Sequence, residues 1–516
     1  MKAPAIGIDL GTTYSALAAI NPAGKPEIVP NKEGERITAS AVYFQPGGSV
    51  LVGQLAVDAA QGDPGRVVRW IKRKMGDAAW SFSVDGEDYS PVDISALILK
   101  KVRQDAEAVL GQIRHAVVTV PAYFDETRRK ATMDAAAKAG LELLRIINEP
   151  TAAALAYAAD GRVRGTVLIY DFGGGTFDVS IVNIESAESV SVLSSEGDHE
   201  LGGYDLDLAL AAHLDSLFKE SFGVRLLDDQ RPAIVHRTIA EAERAKRRLS
   251  SMMTAPSIAL NWGGHVLNAS VDRVAFERII KDFVVRTEML IDNALSAAKV
   301  TPEQIDAVIL VGGSTRIPMV QRLLRDKFHK DPLKHVNPDE AVALGAAIQS
   351  AVIMQGRGLL DLPGTVGEVL KRTRLQDVTN HSFGTISIGS AFGRQCLRNS
   401  IIIPKNTPIP CSKTDEFQTI VAGQTDARCQ ITQGEDEDPE FVNTITEGVL
   451  ELPPGRPAGC TIRVTYSYDA NGRMACEFLD VESGRQKRFE LDVRGPQTHR
   501  KSQSDERVNF DDLVIE

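Results

Sequence analysis

The sequence predicts a duplicated α/β domain followed by an all-β domain, and three observations lead to this fold class. One short pattern occurs twice, as Ile-Gly-Ile-Asp-Leu-Gly-Thr-Thr at residues 6–13 and as Leu-Ile-Tyr-Asp-Phe-Gly-Gly-Gly-Thr at residues 168–176. Residues 1–352 alternate strand-like apolar runs with helical periodicity, whereas residues 378–494 contain short strands separated by turns. A chain of 516 residues exceeds the size of one hydrophobic core, so we expect two or three domains.

Each copy of the repeated pattern has the residues that a phosphate-binding turn needs. A strand-like run ends in Asp9 or Asp171, and a glycine turn and a threonine follow. Glycine lets backbone N–H groups approach phosphate oxygens, and successive N–H groups in a turn form an anion-binding concavity. The aspartate before each turn can help to hold Mg²⁺ through retained water. One copy would be ordinary architecture, but two copies predict a fold that binds a nucleotide between its halves.

Periodicity places the elements of the first 352 residues. We expect strands at 116–120, 166–170, 189–193 and 307–311, helices at 95–110, 126–140, 234–249 and 276–299, and an N-cap at Thr301 before Pro302.

The composition changes after residue 352. A linker over 353–377 is indicated by glycine and proline residues followed by a basic cluster at 371–374. The glycine and proline residues are Gly356, Gly358, Pro363, Gly364 and Gly367. Strands expected at 400–403, 416–421, 428–432, 461–468, 474–481 and 486–493 then predict a β-sandwich domain over 378–494, with a turn at 469–472. The polar tail 495–516 is expected to be mobile, although Phe510, Leu513 and Val514 could dock.

Charge and composition exclude several functional classes. A net charge of −11 argues against a dedicated nucleic-acid binder, and no stretch is long and apolar enough for a membrane span. The start leaves no room for a signal peptide. All five cysteines lie in the last quarter without the spacing of a zinc site, so we expect reduced thiols in a cytoplasmic protein.

Five further segments complete a recognisable set. They read Val-Val-Thr-Val-Pro-Ala-Tyr-Phe at 117–124, Ile-Ile-Asn-Glu-Pro-Thr-Ala-Ala-Ala-Leu-Ala-Tyr at 146–157, Glu-Ala-Glu-Arg-Ala-Lys-Arg-Arg-Leu-Ser at 241–250, Val-Ile-Leu-Val-Gly-Gly-Ser-Thr-Arg-Ile-Pro-Met-Val at 308–320 and Val-Asn-Pro-Asp-Glu-Ala-Val-Ala-Leu-Gly-Ala-Ala at 336–347. In this order the segments closely resemble the 70-kilodalton heat-shock chaperone family of the DnaK type. The resemblance covers nearly all of residues 1–350. It implies an actin-like ATPase domain, which is a duplicated ribonuclease H-like fold, and a β-sandwich that binds peptide.

The resemblance assigns roles in ATP binding and hydrolysis. Lys72 would reach the γ-phosphate and the attacking water, Glu149 would orient that water, and Asp171 and Thr176 would complete the catalytic set. Asp9 and Asp171 would hold Mg²⁺ through water, while Asp178 matches the family's site for a monovalent cation such as K⁺. The remaining ATP/ADP-binding residues would be Gly11, Thr12, Thr13, Tyr14, Gly173, Gly174, Gly175, Gly202, Gly203, Glu243, Lys246, Arg247, Ser250, Gly312, Gly313, Ser314, Arg316 and Asp339.

Four of these residues have spacings that place them on one helix stripe, namely Glu243, Lys246, Arg247 and Ser250. Without the family context such a stripe would be interpreted as a solvated charged face. Likewise, Lys72 could be a surface lysine, and Glu149 could be an ordinary carboxylate at a helix start. The flanking residues match the family on both sides and favour the catalytic interpretation.

The second half of the chain resembles the family's peptide-binding domain more weakly. The carried-over groove comprises Thr385, Ile388, Phe417, Ile420, Ala427 and Cys429, although Phe417 and Ile420 could be sandwich core instead. Residues 390–397 resemble an insertion that could reshape or cover the peptide site. The family's aliphatic linker is replaced here by Arg374-Leu375-Gln376-Asp377, so we expect weaker docking on the ATPase domain. The segment 77–93 is short, which predicts a reduced lobe.

The resemblance also concerns partners. Pro121 and Arg129 match the relay between nucleotide site and linker, and Arg145, Asn148 and Asp377 match the surface for J-domain co-chaperones. Expected partners are extended or unfolded polypeptides, a J-domain protein and a nucleotide-exchange factor, with no nucleic acid and no membrane. The family's helical lid is expected to be absent, which predicts fast peptide exchange.

Three functions remain as hypotheses. The first is an ATP-dependent chaperone whose nucleotide state controls binding of extended polypeptide. The second is a nucleotide-bound co-chaperone or regulatory scaffold with slow or uncoupled hydrolysis, which the altered linker favours and the intact catalytic set disfavours. The third, a sugar or acetate kinase of the same fold, is disfavoured because the cleft segments match the chaperone family throughout.

Overall fold

The computed structural model describes residues 4–333, 335–360, 362, 372–391, 394–469, 473–491 and 515. Predictions for Pro363, Gly364, Gly367 and Lys371, for most of the turn at 469–472, and for the tail apart from Ile515 fall outside the described residues. Within the described part of the chain, no helix has both the length and the apolar composition needed to cross a membrane.

Two similar halves form the first domain. The elements of the first half are β1 (Ile6–Asp9), β2 (Tyr14–Ile20), β3 (Pro26–Ile28), β4 (Thr38–Ala39), β5 (Ala41–Phe44), β6 (Val50–Val52), α1 (Gln54–Ala59), β7 (Val67–Arg69), β8 (Phe82–Val84), β9 (Glu87–Tyr89), α2 (Pro91–Leu110), β10 (His115–Val120), α3 (Glu126–Lys138), β11 (Glu142–Asn148) and α4 (Glu149–Asp160). Those of the second half are β12 (Gly165–Phe172), β13 (Phe177–Ser186), β14 (Ser189–Asp198), α5 (Gly203–Phe222), α6 (Pro232–Ser251), β15 (Thr254–Trp262), β16 (His265–Asp272), α7 (Arg273–Ala298), β17 (Ala307–Val311), α8 (Pro318–Phe328) and α9 (Ala341–Gly356).

The strand pairing reveals the duplication that the repeated pattern predicts. In the first half β1, β2 and β3 form an antiparallel meander, and β10 and then β11 add in parallel beside β1. In the second half β12, β13 and β14 form the same meander, and β17 adds in parallel beside β12. Both turns of the repeated pattern therefore lie at the equivalent end of equivalent hairpins.

The core of this domain consists of apolar side chains from the two sheets and from the helices that pack against them. Helices α4 and α9 pack between the sheets, where Gly345 approaches Ala152 so closely that a Cβ would lie 1.7 Å from the Ala152 carbonyl oxygen. The helix α2 begins with a capping box in which the Ser90 side chain accepts from the Asp93 amide. Segment 77–93, expected to be short, forms the small β8–β9 hairpin.

The second domain is a sandwich of two four-stranded sheets. Its strands, together with the strand that precedes them, are β18 (Arg374–Val378), β19 (Phe383–Ala391), β20 (Arg394–Ile403), β21 (Pro408–Ile409), β22 (Cys411–Gln418), β23 (Asp426–Gln433), β24 (Asn443–Glu451), β25 (Thr461–Tyr468), β26 (Met474–Asp480) and β27 (Gln486–Leu491). One sheet has the order β20-β19-β23-β24 and the other β22-β25-β26-β27. Of the segment expected as an insertion, residues 390–391 and 394–397 are described, and they belong to the paired strands β19 and β20. All five cysteines are free thiols.

The linker strand β18 lies against the first domain and pairs with it through its backbone. It pairs in parallel with β14 of the first domain, with Leu375 opposite Val190, and it also pairs with β21. The side chains of Arg374 and Gln376 are exposed, whereas Asp377 and Val378 are buried. Because alternate strand residues face opposite sides, the polar substitutions point away from the domain surface and leave the backbone pairing intact.

Candidate active site

The two glycine turns meet face to face at the base of the cleft between the halves. A Cβ on Gly174 would lie 2.0 Å from Thr13 Oγ1, and one on Gly175 would lie 2.5 Å from Thr12 Cγ2. Any side chain at these two positions would therefore push the turns apart. This close approach explains the glycines, and it lines the cleft with backbone N–H groups and threonine hydroxyls suited to an anion.

A third glycine segment supports the second turn. The amides of Gly203 and Tyr204 donate to the carbonyls of Gly173 and Gly174 at 2.9 and 2.8 Å. The Ser314 hydroxyl also donates to the Gly173 carbonyl, at 2.9 Å. These bonds hold the second turn between the start of α5 and the 3-10 turn Gly313–Arg316.

One buried ion pair spans the base of the cleft. Lys72, on the 3-10 turn Ile71–Lys74, contacts Glu149 at the start of α4, and their side chains are 5% and 8% exposed. Burial alone would lower the pKa of Lys72, but attraction by Glu149 and Asp9 outweighs it and raises the pKa above its usual value. Lys72 is therefore a fixed ammonium in the cleft.

Three more carboxyl groups surround this pair. Burial, followed by repulsion from Glu149, raises the pKa of Asp9 and of Asp178 to about 7, and the same two causes raise the pKa of Asp171 well above its usual value. Asp178 Oδ1 accepts from the Tyr123 amide at 3.1 Å, but its other oxygen has no hydrogen-bond partner within the described part of the chain.

The charge balance of this cluster fits a bound cation. The cluster contains four carboxyl groups, which belong to Asp9, Asp171, Asp178 and Glu149, and the ammonium group of Lys72. Mg²⁺ is a cation of this kind, because it is bound through one or two carboxylates and retains several of its waters.

A cavity of about 420 Å³ opens above the glycine turns. Its lining comprises Thr13, Tyr14, Ile37, Trp70, Gly174, Gly203, Tyr204, Asp207, Glu243, Lys246, Arg247, Ser250, Gly313, Ser314, Arg316, Ile317 and Asp339. Residues from the stripe predicted on α6 thus meet residues from both glycine turns. A cavity of this volume is within the range of small-molecule sites.

Ion pairs organise the polar walls of the cavity. Lys246 contacts Asp207 at 2.8 Å and donates to the Gly203 carbonyl at 2.6 Å. Arg247 contacts Glu243 at 2.9 Å and donates to the Tyr14 hydroxyl at 2.8 Å. Arg316 and Asp339 contact each other at 2.7 Å.

Several cleft residues were missed by the sequence reasoning. Trp70 adopts a left-handed conformation with φ 58°, and its ring lies 4.3 Å from that of Tyr204. Arg69 contacts Glu243 at 3.0 Å. Arg73 contacts Asp205, also at 3.0 Å. These residues flank Lys72 and Gly203 in the sequence, and this adjacency was the only signal that pointed to them.

The predicted interdomain residues form one connected network. Arg129 donates to Asn148 Oδ1 at 2.6 Å, and Asn148 Nδ2 donates to Asp377 Oδ2 at 3.3 Å. Thr151 donates to the same Asp377 oxygen at 3.4 Å. Burial raises the pKa of Asp377, against the opposing effects of the Val378 amide and Arg145. Pro121 is buried, and the carbonyl of the next residue, Ala122, accepts from Arg129 at 3.3 Å.

The six predicted groove residues have three different environments. Thr385 and Cys429 are buried in the sandwich, where Thr385 donates to the Gln430 carbonyl at 2.7 Å. Phe417 and Ala427 are partly buried against the core, whereas Ile388 and Ile420 are 44% and 49% exposed.

The fold and the cleft define a nucleotide-dependent protein with a β-sandwich docked on its nucleotide-binding domain. The sequence model of the family described as "Hsp70 protein" matches residues 5–511. The chain is 42% identical over 492 residues to "Chaperone protein DnaK" of Thermotoga neapolitana, covering 93% of this chain and 79% of that protein. It is 40% identical over 510 residues to "Chaperone protein DnaK" of Thermosipho melanesiensis, covering 97% of this chain and 81% of that protein.

The chain belongs to the Hsp70 family. It is accordingly an ATPase and an ATP-dependent chaperone of the Hsp70 type, as the sequence motifs indicated. Members of this family bind ATP or ADP with Mg²⁺ and act with client polypeptides and co-chaperones.

Proposed function

We propose that the chain hydrolyses ATP with Lys72 and Glu149 at the base of the cleft, and that β18 transmits the nucleotide state to the sandwich. The single observation that carries this proposal is the buried Lys72–Glu149 pair among Asp9, Asp171 and Asp178, directly below the two glycine turns. Phosphoryl transfer requires mainly positioning and charge compensation, which this set supplies without a covalent nucleophile.

Within this proposal the turns and walls have separate tasks. The phosphates are bound by the two glycine turns, that is, by Gly11, Thr12 and Thr13 of the first and by residues 173–176 of the second. The nucleoside is bound by the residues of α6 that line the cavity, together with Gly312, Ser314 and Arg316. Bound Mg²⁺ would neutralise charge on the transferred phosphoryl group. Asp9 and Asp171 hold Mg²⁺ through its waters, and the unpartnered oxygen of Asp178 suits a monovalent cation such as K⁺. Glu149 orients the attacking water while Lys72 compensates charge.

Coupling to the sandwich runs through the residue before Glu149. Asn148 contacts Asp377 of β18. A change in linker docking therefore acts on Asn148, and hydrolysis in the cleft acts on the next residue, Glu149. The pairing of β18 with β14 favours coupled hydrolysis over the alternative of an uncoupled scaffold. We further propose that Arg145, Asn148 and Asp377 bind a J-domain co-chaperone, that a nucleotide-exchange factor assists release, and that the protein works in the cytoplasm.

The client is an extended polypeptide bound by the sandwich. Ile388 and Ile420 supply exposed apolar side chains on this domain, and Ile388 stands opposite the exposed Leu397 across the β19–β20 hairpin. Extended peptides are recognised through backbone hydrogen bonds and alternating pockets, which this arrangement can offer.

Single-turnover ATP hydrolysis tests the proposal. The full chain is measured alone, with a J-domain, and with a J-domain plus an extended apolar peptide. We expect both additions to accelerate hydrolysis. Equal rates in all three samples would exclude coupling and favour the scaffold, and an absence of hydrolysis would refute the roles of Lys72 and Glu149.

A further inference from the structure

One residue of the tail that follows the sandwich lies against the first half of the ATPase domain. Ile515 forms a parallel β-bridge with Val50, the first residue of β6. Its side chain is partly buried and packs against the apolar core of that half, to which Val50 also belongs. The nucleotide cavity takes its lining from other residues. The contact with Ile515 is therefore separate from the site described above.

Strand β6 lies at the edge of a small sheet whose order is β6-β5-β7. In this sheet Val50 stands opposite Phe44, and Val52 stands opposite Val42. The side chains of both β6 valines are buried in the core. Within the described part of the chain, β5 is the only named strand that pairs with β6. The other side of β6 is therefore the edge at which Ile515 lies.

The hydrogen bonds on either side of these pairs show which way the backbone of the two β6 valines faces. The Gln45 amide donates to the Ser49 carbonyl at 2.9 Å, and the Gly53 amide donates to the Ala41 carbonyl at 3.0 Å. Hydrogen-bonded and non-hydrogen-bonded pairs alternate along an antiparallel ladder, so both valines occupy non-hydrogen-bonded pairs. Their N–H and C=O groups therefore point away from β5, toward the edge.

We propose that the edge of β6 is a docking site for residues 513–516 of the same chain, which add to it as a parallel strand. Their sequence is Leu-Val-Ile-Glu, and its β-branched residues are of the type favoured in strands. A parallel strand beside Val50 uses the N–H and the C=O that this residue directs to the edge. The side chain of Ile515 covers the core at the same point.

The tail is long enough to reach this edge from the sandwich. Strand β27 ends at Leu491, and the stretch 492–514 spans on the order of 80 Å when extended, at about 3.3–3.6 Å per residue. A segment tethered in this way meets its site at an effective concentration in about the millimolar range. A short strand that binds weakly as a free peptide is therefore bound when it belongs to the same chain.

Docking of the tail covers an edge that would otherwise be open to other chains. Unpaired N–H and C=O groups on an edge strand are a template for pairing with a second polypeptide. Strand β5 pairs with both β6 and β7, and β7 leads into Trp70 and the turn that carries Lys72. The docked tail thus covers the sheet from which these cleft residues extend. The inference goes beyond the proposed function and does not depend on it, because the chain itself supplies the partner.

Residue-resolved hydrogen exchange on the full chain, without nucleotide, tests this site. The wild type is compared with Ile515→Asp, which places a charge in the apolar contact, and with the matched control Val508→Asp, which lies outside the proposed strand. We expect the Val50 amide to exchange about two- to tenfold faster in Ile515→Asp, the change that one hydrogen bond accounts for. The Leu51 amide should keep its rate in all three proteins, because Leu51 occupies a hydrogen-bonded pair with β5.

Equal exchange at Val50 in the wild type and Ile515→Asp would overturn the proposal. Faster exchange in Val508→Asp than in the wild type would overturn the assignment to residues 513–516. A synthetic peptide of residues 507–516 is then added to Ile515→Asp at about the millimolar concentration that the tether provides. We expect it to restore slow exchange at Val50, whereas the same peptide carrying Ile515→Asp should not. Restoration by both peptides or by neither would contradict the site.

A dilution series distinguishes docking within one chain from docking on a second copy. Exchange at Val50 in the wild type is measured over about a hundredfold range of protein concentration, since only an intramolecular contact has an effective concentration independent of dilution. A constant rate is expected. Slower exchange at higher protein concentration would assign the edge to the tail of a second copy and overturn the intramolecular site.

Discussion

Asn148 Nδ2 lies 3.3 Å from Asp377 Oδ2, which joins the linker strand to the residue that directly precedes Glu149. Asn148 ends β11 and Glu149 begins α4, so the two functional positions lie on either side of one strand-to-helix junction. Asp377 is buried, and Arg129 donates to the same Asn148 side chain. Separation of the linker strand from the first domain would therefore break the hydrogen bond between Asn148 and Asp377. The network therefore connects the linker strand to the junction at which Glu149 lies.

Removing the carboxylate at this junction should weaken coupling. In Asp377→Ala, Asn148 and Thr151 lose an acceptor, and hydrogen bonds to charged groups contribute about 1.5–3 kcal/mol each. We expect stimulation of single-turnover hydrolysis by J-domain and peptide to fall by about tenfold or more. The exposed Asp415 on β22 provides the control Asp415→Ala. Undiminished stimulation in Asp377→Ala would show that the network carries no coupling.

Glu149 offers a second test, aimed at the chemical step. Glu149→Gln keeps the size of the side chain but removes the charge that would orient water, so single-turnover hydrolysis should slow by about 10²–10⁴-fold. ATP binding should persist, because the cavity lining is separate from Glu149. Glu149→Ala should behave similarly but with lower stability, since truncation removes the buried side chain that contacts Lys72 and leaves a cavity in its place.

The control for this test is Glu142→Gln, at the exposed beginning of the same strand β11. Rapid hydrolysis by Glu149→Gln would remove Glu149 from the mechanism, whereas loss of ATP binding in that variant would indicate a structural role.

Much of the fold could be predicted because its signals are local. The glycine turns, the strand at 307–311 and the strand at 461–468 agree with the structure because glycine geometry and alternation act within a few residues. The sequence did not reveal that the linker contacts the first domain through its backbone, since the pairing with β14 does not depend on side-chain polarity. Trp70 could not be found because its position across the cleft from Tyr204 depends on the packing of both halves.

Cation binding should depend on pH with a predictable sign. The pKa values of Asp9 and Asp178 are about 7 in the folded state, compared with about 3.9 for an unfolded aspartate. Protonated carboxyls contribute stability at low pH, and this contribution is lost as the pH rises from about 4 through 7. A bound cation favours the ionised form, so the increase in melting temperature caused by Mg²⁺ and ADP should be larger at pH 8 than at pH 6.

This pH dependence is checked by thermal unfolding with and without Mg²⁺ and ADP in the wild type and Asp178→Asn. The variant removes one of the titrating carboxyls, so its Mg²⁺-dependent increment should change less with pH. An increment that is constant from pH 6 to pH 8 in the wild type would contradict the raised pKa values.

The contacts across the outer cleft should set how fast nucleotide leaves. Trp70 packs on Tyr204, and Arg69 and Arg73 pair with Glu243 and Asp205 at 3.0 Å each. Three contacts from residues 69–73 therefore join the two halves beside the cavity. An aromatic pair contributes about 0.5–1.5 kcal/mol beyond its buried area, which corresponds to roughly two- to tenfold in a rate. Trp70→Ala should therefore accelerate ADP dissociation by at least twofold.

Stopped-flow release of a fluorescent ADP analogue measures this rate. Trp262→Phe, on β15, provides a control that also changes a tryptophan. Because Trp70 precedes the Lys72 turn, the single-turnover hydrolysis rate is measured in parallel. Faster release with a nearly unchanged hydrolysis rate is expected from a cleft contact, whereas slower hydrolysis with unchanged release would assign Trp70 to the positioning of Lys72 instead.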